Sequence, residues 1–168
     1  LSKSFPIYFI IIASSIGVTV AGTSLIGNSI GEKNERKVLN YFTHIIFYGI
    51  IISIIISLFG LNYSEKIFYI MGSSKEVVDL GQEYTDIIFY GSIIFISVVS
   101  LNSLLHAEGD TKTYRNVLIL SFFLNIILNP MLIFGFLFIP AMGVKGIGLA
   151  TIISQLLSFL IILGKVLK

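Results

Sequence analysis

Five long apolar stretches, each close to the length that a helix needs to cross a lipid bilayer, most constrain what this chain can fold into. They are 5–26, 41–61, 87–105, 117–139 and 146–164. A helix of about 20 predominantly apolar residues crosses the hydrocarbon core of a bilayer. Only helices and closed barrels satisfy every backbone hydrogen bond in lipid, and barrel strands are shorter and alternate in polarity. The sequence therefore predicts an all-α integral membrane protein with about five transmembrane helices.

The composition explains why lipid, rather than a protein core, must surround these stretches. Of the 168 residues, 55% are hydrophobic and only 12% are charged, whereas a soluble domain carries about 25% charged residues. A chain this short has too little interior to bury so much isoleucine and phenylalanine. The absence of cysteine excludes disulfides and thiolate metal sites, and no metal ligands are predicted because His44 and His106 are isolated. A net charge of +2 gives no reason to expect a nucleic-acid partner.

Basic residues between the spans predict the orientation of the chain. One side, formed by loops 31–40 and 106–116 and the C-terminal tail, carries Lys33, Arg36, Lys37, Lys112, Arg115, Lys165 and Lys168, and the other carries Lys3, Lys66, Lys75 and Lys145. Because cytoplasmic loops are enriched in lysine and arginine, we expect both loops to be cytoplasmic and the first span to run inward. The chain starts at a leucine and lacks a signal-peptide pattern. We therefore expect a piece of a longer protein, with one more helix upstream.

The longest connection, 62–84, is expected to lie on the outer side as a polar, partly amphipathic interfacial segment. Ser73 or Ser74 can cap the helix that follows. Asp86 is interpreted as a solvated charge at the rim, although a carboxylate that faced a cleft would attract cations. In the last span, Gln155 is expected to face the helix bundle, because a glutamine side chain is costly in lipid.

Two stretches that join predicted helices have residue types suited to helix ends. The first, 17–37, is a helix rich in small residues followed by a charged turn, and Gly31 suits the left-handed position that closes a helix. Close helix packing without transport explains its small residues equally well. The second is Ala-Glu-Gly-Asp-Thr at 107–111, whose glycine would end one helix and whose Asp110 or Thr111 would cap the next.

A third stretch, 125–135 followed by 140–151, places amides deep in an apolar span. Asn125 and Asn129 are four residues apart, so they share one helix face. Pro130 removes a backbone hydrogen bond and frees the carbonyl of Ile126, which predicts a kink. Two amides beside a kink in lipid are costly unless they have partners.

Together these three stretches, in this order and spacing, resemble the MATE (multidrug and toxic compound extrusion) family, and the resemblance covers nearly the whole chain. It implies a fragment that runs from the second to the sixth helix of the N-terminal lobe of a twelve-helix, two-lobed transporter. The C-terminal lobe is an alternative, because the two lobes are related repeats. Members of the family export cationic or amphipathic compounds in exchange for protons or sodium ions.

The resemblance also implies a substrate or ion cavity. Tyr84 and Asn102 match a tyrosine and an asparagine on the fourth helix of archaeal-type members, and Asn125 matches an amide on the fifth. Asn129 stands where those members have an acid, so this position cannot take up a proton. The first helix, which carries a second acid in the family, would lie upstream. The coupling chemistry is therefore expected outside this chain.

Three other classes of protein remain to be weighed against the antiporter. A lipid-linked oligosaccharide flippase of the same superfamily would line its cavity with arginine and lysine, and no basic residue lies within the spans. An intramembrane enzyme would need a nucleophile–base pair or a metal cluster, and neither is recognisable. A packing-only scaffold would not need the matching motifs. We expect a non-enzymatic transporter without a cofactor, whose partners are small organic cations or amphipathic drugs, membrane lipid, and the missing first helix and second lobe.

Overall fold

The chain folds into helices throughout the part that the structure describes, residues 4–167 of a computed structural model. The elements are α1 (Phe5–Gly31), α2 (Glu35–Ile70), α3 (Lys75–Tyr90), α4 (Ser92–Ala107), α5 (Thr111–Phe134) and α6 (Val144–Val166). Lys3 and Lys168, which entered the charge count, lie outside the described residues.

The helices account for up to five membrane spans. α1, α2, α5 and α6 are each long and apolar enough to cross a bilayer, whereas α3 and α4 together form one span that bends by 43°. The bend lies at Gly91, where an added Cβ would come within 2.6 Å of Ile152 on α6. The predicted all-α membrane fold with about five spans is thereby confirmed. In a membrane, the exposed apolar side chains that cover this bundle contact lipid; they include Phe47, Ile55, Leu58, Phe122 and Phe123.

The connection expected over 62–84 is much shorter in the structure, and its interfacial position on the outer side stays a prediction. α2 continues without interruption to Ile70, and only residues 71–74 separate it from α3. The helix continues because residues 61–70 contain no glycine or proline. α2 ends just before Gly72, which adopts a left-handed φ of +68°. Ser74 is the N-cap residue of α3, but its side chain makes no capping hydrogen bond.

The expected span at 117–139 also ends earlier than predicted. α5 stops at Phe134, and Gly135 leaves the helix with a φ of +80°. Residues 136–139 form a small loop closed by an isolated bridge between Phe136 and Ile139. The carbonyl of Leu132, at the end of the helix, accepts a hydrogen bond from Met142 N at 2.9 Å. Pro130 lies inside α5, and the kink there stays a prediction.

Helix α4 is the centre of the bundle and packs against α1, α2 and α6. Small residues make this close packing possible, as is common between helices in membranes. An added Cβ at Gly22 of α1 would lie 2.8 Å from Ser103, and one at Gly49 of α2 would lie 2.5 Å from the hydroxyl of Ser100. A hydrogen bond also crosses between helices, because the hydroxyl of Ser92 donates to Ser53 O at 3.1 Å.

Candidate functional site

A cleft of about 350 Å³ lies between α1, α4, α5 and α6. Its walls are largely apolar, but seven polar side chains line it, contributed by all four helices: Tyr8, Ser15, Thr19, Asn102, His106, Tyr114 and Gln155. Asn102 and His106 are four residues apart on α4, so both side chains lie on the same face of that helix. Gln155 faces the bundle interior, as the sequence predicted.

Asn102 is the most deeply buried polar group of this cleft, with only 1% of its surface exposed. Its Nδ2 lies 3.2 Å from Nε2 of His106. Its Oδ1 is buried and has no hydrogen-bond partner among the described residues. A buried acceptor without a partner costs about 1–3 kcal/mol, so a ligand or water that donates a hydrogen bond to this oxygen would recover that energy.

Asn125 and Asn129 contact one another on α5, because they are one helical turn apart. Asn129 Nδ2 donates to Asn125 Oδ1 at 2.6 Å. Both side chains are half-buried, and Oδ1 of Asn129 is buried without a partner in the described part of the chain. These two asparagines are not among the residues that line the cleft. The predicted amide pair therefore exists, and its role in transport stays a prediction.

Tyr84 does not line the cleft, although it packs against the same hydrophobic cluster as Tyr8, which does. Tyr84 is half-buried on α3, and the cluster includes Phe68, Ile88 and Phe89. The structure thus places Asn102 in the cleft, joins Asn125 to Asn129, and puts Tyr84 in the core.

The carboxylates near the spans have structural partners. Asp86 is half-buried and accepts a hydrogen bond from Ser64 of α2 at 3.3 Å, so it joins two helices and is not simply solvated. Glu83 pairs with Lys145 at 3.5 Å. Asp110 caps α5, as the sequence predicted.

The cap at Asp110 is also the clearest electrostatic effect outside the spans. Asp110 accepts hydrogen bonds from Thr113 Oγ1 at 2.6 Å and from Thr113 N at 3.0 Å. These bonds stabilise the charged form, and they hold the pKa of the Asp110 carboxyl below its ordinary value. Lys165 at the end of α6 lies 3.9 Å away. The turn between α4 and α5 is thus stabilised by the hydrogen bonds from Thr113 to Asp110 and by the ion pair of Asp110 with Lys165 of α6.

The sequence interpretation missed three aromatic rings of the cleft: Tyr8, His106 and Tyr114. His106 was grouped with the loop 106–116, but it lies in the last turn of α4. Its ring packs edge-on against Tyr114 of α5, with centroids 5.7 Å apart. Tyr8 of α1 packs in the same way against Phe95 of α4, at 5.9 Å. The four-residue spacing from Asn102 could have identified His106, whereas the two tyrosines meet the cleft only through tertiary packing.

Comparison with known proteins gives a consistent result. A family model described as MatE matches residues 1–131. The probable multidrug resistance protein YoeA of Bacillus subtilis (strain 168) is 29% identical over 162 residues, which are 96% of this chain and 35% of YoeA. The probable multidrug resistance protein NorM of Thermotoga maritima is 32% identical over 146 residues, 87% of this chain and 31% of NorM. The FAD transporter of Shewanella oneidensis is 26% identical over 158 residues, 94% of this chain and 35% of that protein.

Solved structures agree with the sequence relatives. A MATE crystal structure in the bent conformation superimposes with a TM-score of 0.89 and 29% identity, over 96% of this chain and 35% of that one. An outward-facing multidrug resistance MATE transporter gives a TM-score of 0.86 and 30% identity, over 95% of this chain and 34% of that one.

Four helices long and apolar enough to cross a bilayer, with the bent α3–α4 pair as a fifth span, define a multi-pass membrane protein. Since the family model matches most of its length, the chain belongs to the MATE family, within which it corresponds to the N-terminal region. The resemblance predicted from the three motifs is thereby confirmed, as is the homology to multidrug efflux transporters. The chain spans about a third of the length of the relatives it matches, with 35% of YoeA covered.

Proposed function

We propose that this chain forms the second to sixth helices of the N-terminal lobe of an antiporter. The complete transporter would export cationic or amphipathic compounds in exchange for protons or sodium ions. The observation that supports this most directly is the cleft beside α4, where the buried Oδ1 of Asn102 has no partner in the described part of the chain. The relatives YoeA and NorM are each described as a probable multidrug resistance protein, which supports the export of drug-like compounds.

The chemistry of the cleft suits an amphipathic cation. An amide oxygen accepts hydrogen bonds from an ammonium or amine group, and the faces of Tyr8 and Tyr114 attract positive charge. The apolar walls, formed by residues such as Ile11 and Val98, would contact the hydrophobic body of the ligand. Rocking of this lobe against a second one would expose the bound compound to alternate sides of the membrane.

The coupling ion needs a titratable or charged group that α5 does not offer at position 129. Asn129 is neutral at every pH and already donates to Asn125. We place the coupling acid on the upstream first helix, facing Asn125. An aspartate there would support a cation site in the N-terminal lobe, and its absence would move the coupling to the second lobe.

The site assignment is tested by alanine substitution in the intact transporter. Asn102→Ala and Asn125→Ala should each reduce ethidium efflux from cells while expression stays unchanged, because each removes an amide from the proposed cavity. Asn62→Ala is a matched control, since this exposed asparagine donates only within its own helix, to Leu58 O at 2.7 Å. Efflux that is unchanged in both site variants would remove them from the cavity.

The chain by itself should not transport, because one lobe supplies only half of the proposed cleft between lobes. Vesicles that contain the 168-residue chain alone are expected to take up no fluorescent cation above the level of empty vesicles. Uptake that depended on an ion gradient would refute this.

We also propose that loops 31–40 and 106–116 are cytoplasmic. The chain has no native cysteine, so single substitutions can be labelled without background. Lys33→Cys should be protected from a membrane-impermeant maleimide in intact cells, and Lys75→Cys should react. The reverse pattern would contradict the orientation.

A further inference from the structure

The contact between Asn102 and His106 requires one particular protonation state of the imidazole. The nitrogen Nδ2 of Asn102 carries only donor hydrogens, so the 3.2 Å contact is a hydrogen bond only if Nε2 of His106 accepts. Nε2 accepts when the imidazole is neutral and its proton is on Nδ1. In this state the other end of the amide, Oδ1, is buried without a partner in the part of the chain that the structure describes.

Protonation of the imidazole changes the role of Nε2 from hydrogen-bond acceptor to donor. A protonated histidine donates from both ring nitrogens and cannot accept from Nδ2. The two ends of an asparagine amide have nearly the same shape, so a half-turn of the amide brings Oδ1 to Nε2 without repacking. The amide nitrogen then takes the place that Oδ1 occupied. The hydrogen bond from Nδ2 to Nε2 has been replaced by a charge-assisted one from Nε2–H to Oδ1, which is the stronger kind, and the amide nitrogen is now the end without a partner.

We propose that Asn102 and His106 form a proton-binding amide switch in the cleft. With His106 neutral, Asn102 presents an acceptor oxygen that binds a donor group of a cationic ligand. When Nε2 takes a proton from water, the amide turns and presents a donor instead, which repels that ligand. Only the N–H bond at Nε2 is made, and the proton returns to water in the reverse step. Proton binding and cation binding at this place therefore exclude each other, as exchange requires.

Among the described residues that line this cleft, His106 is the only side chain that can become a cation by taking up a proton. The other titratable side chains of the lining are Tyr8 on α1 and Tyr114 on α5, whose phenol groups cannot carry a positive charge. α6 contributes the neutral Gln155, and α2 contributes no lining residue. The acidic residues that follow in the chain, Glu108 and Asp110, belong to the turn after α4, where Asp110 caps α5 and lies near Lys165.

This inference rests on the proposed export of cations, and it adds a site for the exchanged proton that does not depend on an acid at position 129. The experiment uses the intact transporter in lipid nanodiscs, with ethidium as the ligand. Ethidium affinity is measured from about pH 5 to about pH 8, the range in which imidazoles titrate. Wild-type affinity should fall by about tenfold over this range as the pH is lowered, which corresponds to about 1.4 kcal/mol. In His106→Gln, which is neutral at position 106 throughout, the fall in affinity should be clearly smaller than in the wild type.

The second histidine of the chain supplies the matched control. His44 is exposed on α2, where its Nδ1 lies 2.7 Å from Asn40 O. His44→Gln should keep the wild-type pH dependence. Asn102→Leu cannot present either amide atom, so it should bind ethidium weakly and with the same reduced pH dependence as His106→Gln. A wild-type pH dependence that survives in His106→Gln would overturn the switch.

A spectroscopic measurement separates the switch from the proposed function. The side-chain amide signals of Asn102, followed by NMR in the transporter labelled at asparagine and histidine, should move with the same midpoint as the ring signals of His106. The signals should stay constant in His106→Gln. Amide signals that do not change while His106 titrates, or a ring that does not titrate in this range, would overturn the switch. If ethidium does not bind to the wild type but the signals move together, the switch stands and cation export fails.

Discussion

The packing of α1 against α4 can be tested at Gly22, where the structure allows the effect of one added methyl group to be worked out. The new Cβ of Gly22→Ala would lie 2.8 Å from both Cβ and Oγ of Ser103 and 3.1 Å from Cδ1 of Ile45. Contacts this short force atoms to move, and one of the obstructing atoms, Ser103 Cβ, is fixed to the backbone of the most enclosed helix. Over-packing of this kind typically costs about 1–3 kcal/mol.

The matched control is Gly17→Ala, one turn and a half away on the same helix. An added Cβ at Gly17 meets no atom within 4 Å, so the substitution brings only the helix propensity of alanine, worth up to about 1 kcal/mol. Since both variants gain this propensity, their difference isolates the packing term. Gly22→Ala should therefore be less stable than Gly17→Ala by about 1–3 kcal/mol.

The assay is unfolding in mixed micelles with increasing SDS, followed by the loss of helical circular dichroism. Ser103→Gly removes both obstructing atoms, so the double variant with Gly22→Ala should be more stable than the sum of the two single effects predicts, by about 0.5–3 kcal/mol. Equal stability of Gly22→Ala and Gly17→Ala, or strict additivity in the double variant, would refute the close approach of α1 and α4 at this point.

Two further predictions concern the contacts that hold α5. Ser121→Ala should lower the free energy of unfolding by about 0.6 kcal/mol, a typical value for hydrogen bonds between membrane helices. The reason is that the hydroxyls of Ser121 on α5 and Ser158 on α6 lie 2.5 Å apart. Substitution of the exposed Ser24 by alanine should have no such effect in the same assay. Asp110→Asn should be less stable than the wild type at neutral pH, because hydrogen bonds from Thr113 hold the pKa of Asp110 below its ordinary value of 3.8. The stabilisation is present above that value and is lost as the pH falls through the lowered pKa, so the gap between wild type and variant should close in acid; a gap that does not change with pH would contradict this origin.

The spans could be predicted because each is a continuous run of apolar residues. The predicted helix ends were misplaced where polar residues lie in contacts between helices. The segment after Leu61 looked like a connection because it contains Asn62, Ser64, Glu65 and Lys66. In the folded chain Ser64 is fully buried and donates to Asp86 across the α2–α3 contact. A polar residue in a membrane protein is compatible with a helix interior when a neighbouring helix offers a partner. Composition alone does not show that partner.

The candidate site was predictable only in part, for a related reason. The pairing of Asn125 with Asn129 follows from their spacing on one helix, and the structure shows it at 2.6 Å. The cleft at Asn102 brings together side chains of four helices that are far apart in the chain. The residue pattern within one helix does not show which faces of α1, α5 and α6 turn toward α4. Tyr8 and Tyr114 could therefore not be identified as cleft residues from the sequence.

The burial of α4 connects the packing of the bundle to the chemistry of the cleft. Leu101, Asn102 and Ser103 are consecutive, point in directions about 100° apart around the helix, and are all buried, with 6%, 1% and 0% of their surfaces exposed. Such all-round burial requires neighbours on every side, so α4 has little freedom to rotate. The Gly22–Ser103 contact closes one side and thereby sets the direction in which Asn102 faces the cleft. Gly22→Ala should consequently change the direction in which Asn102 and His106 together face the cleft, although Gly22 does not line the cleft.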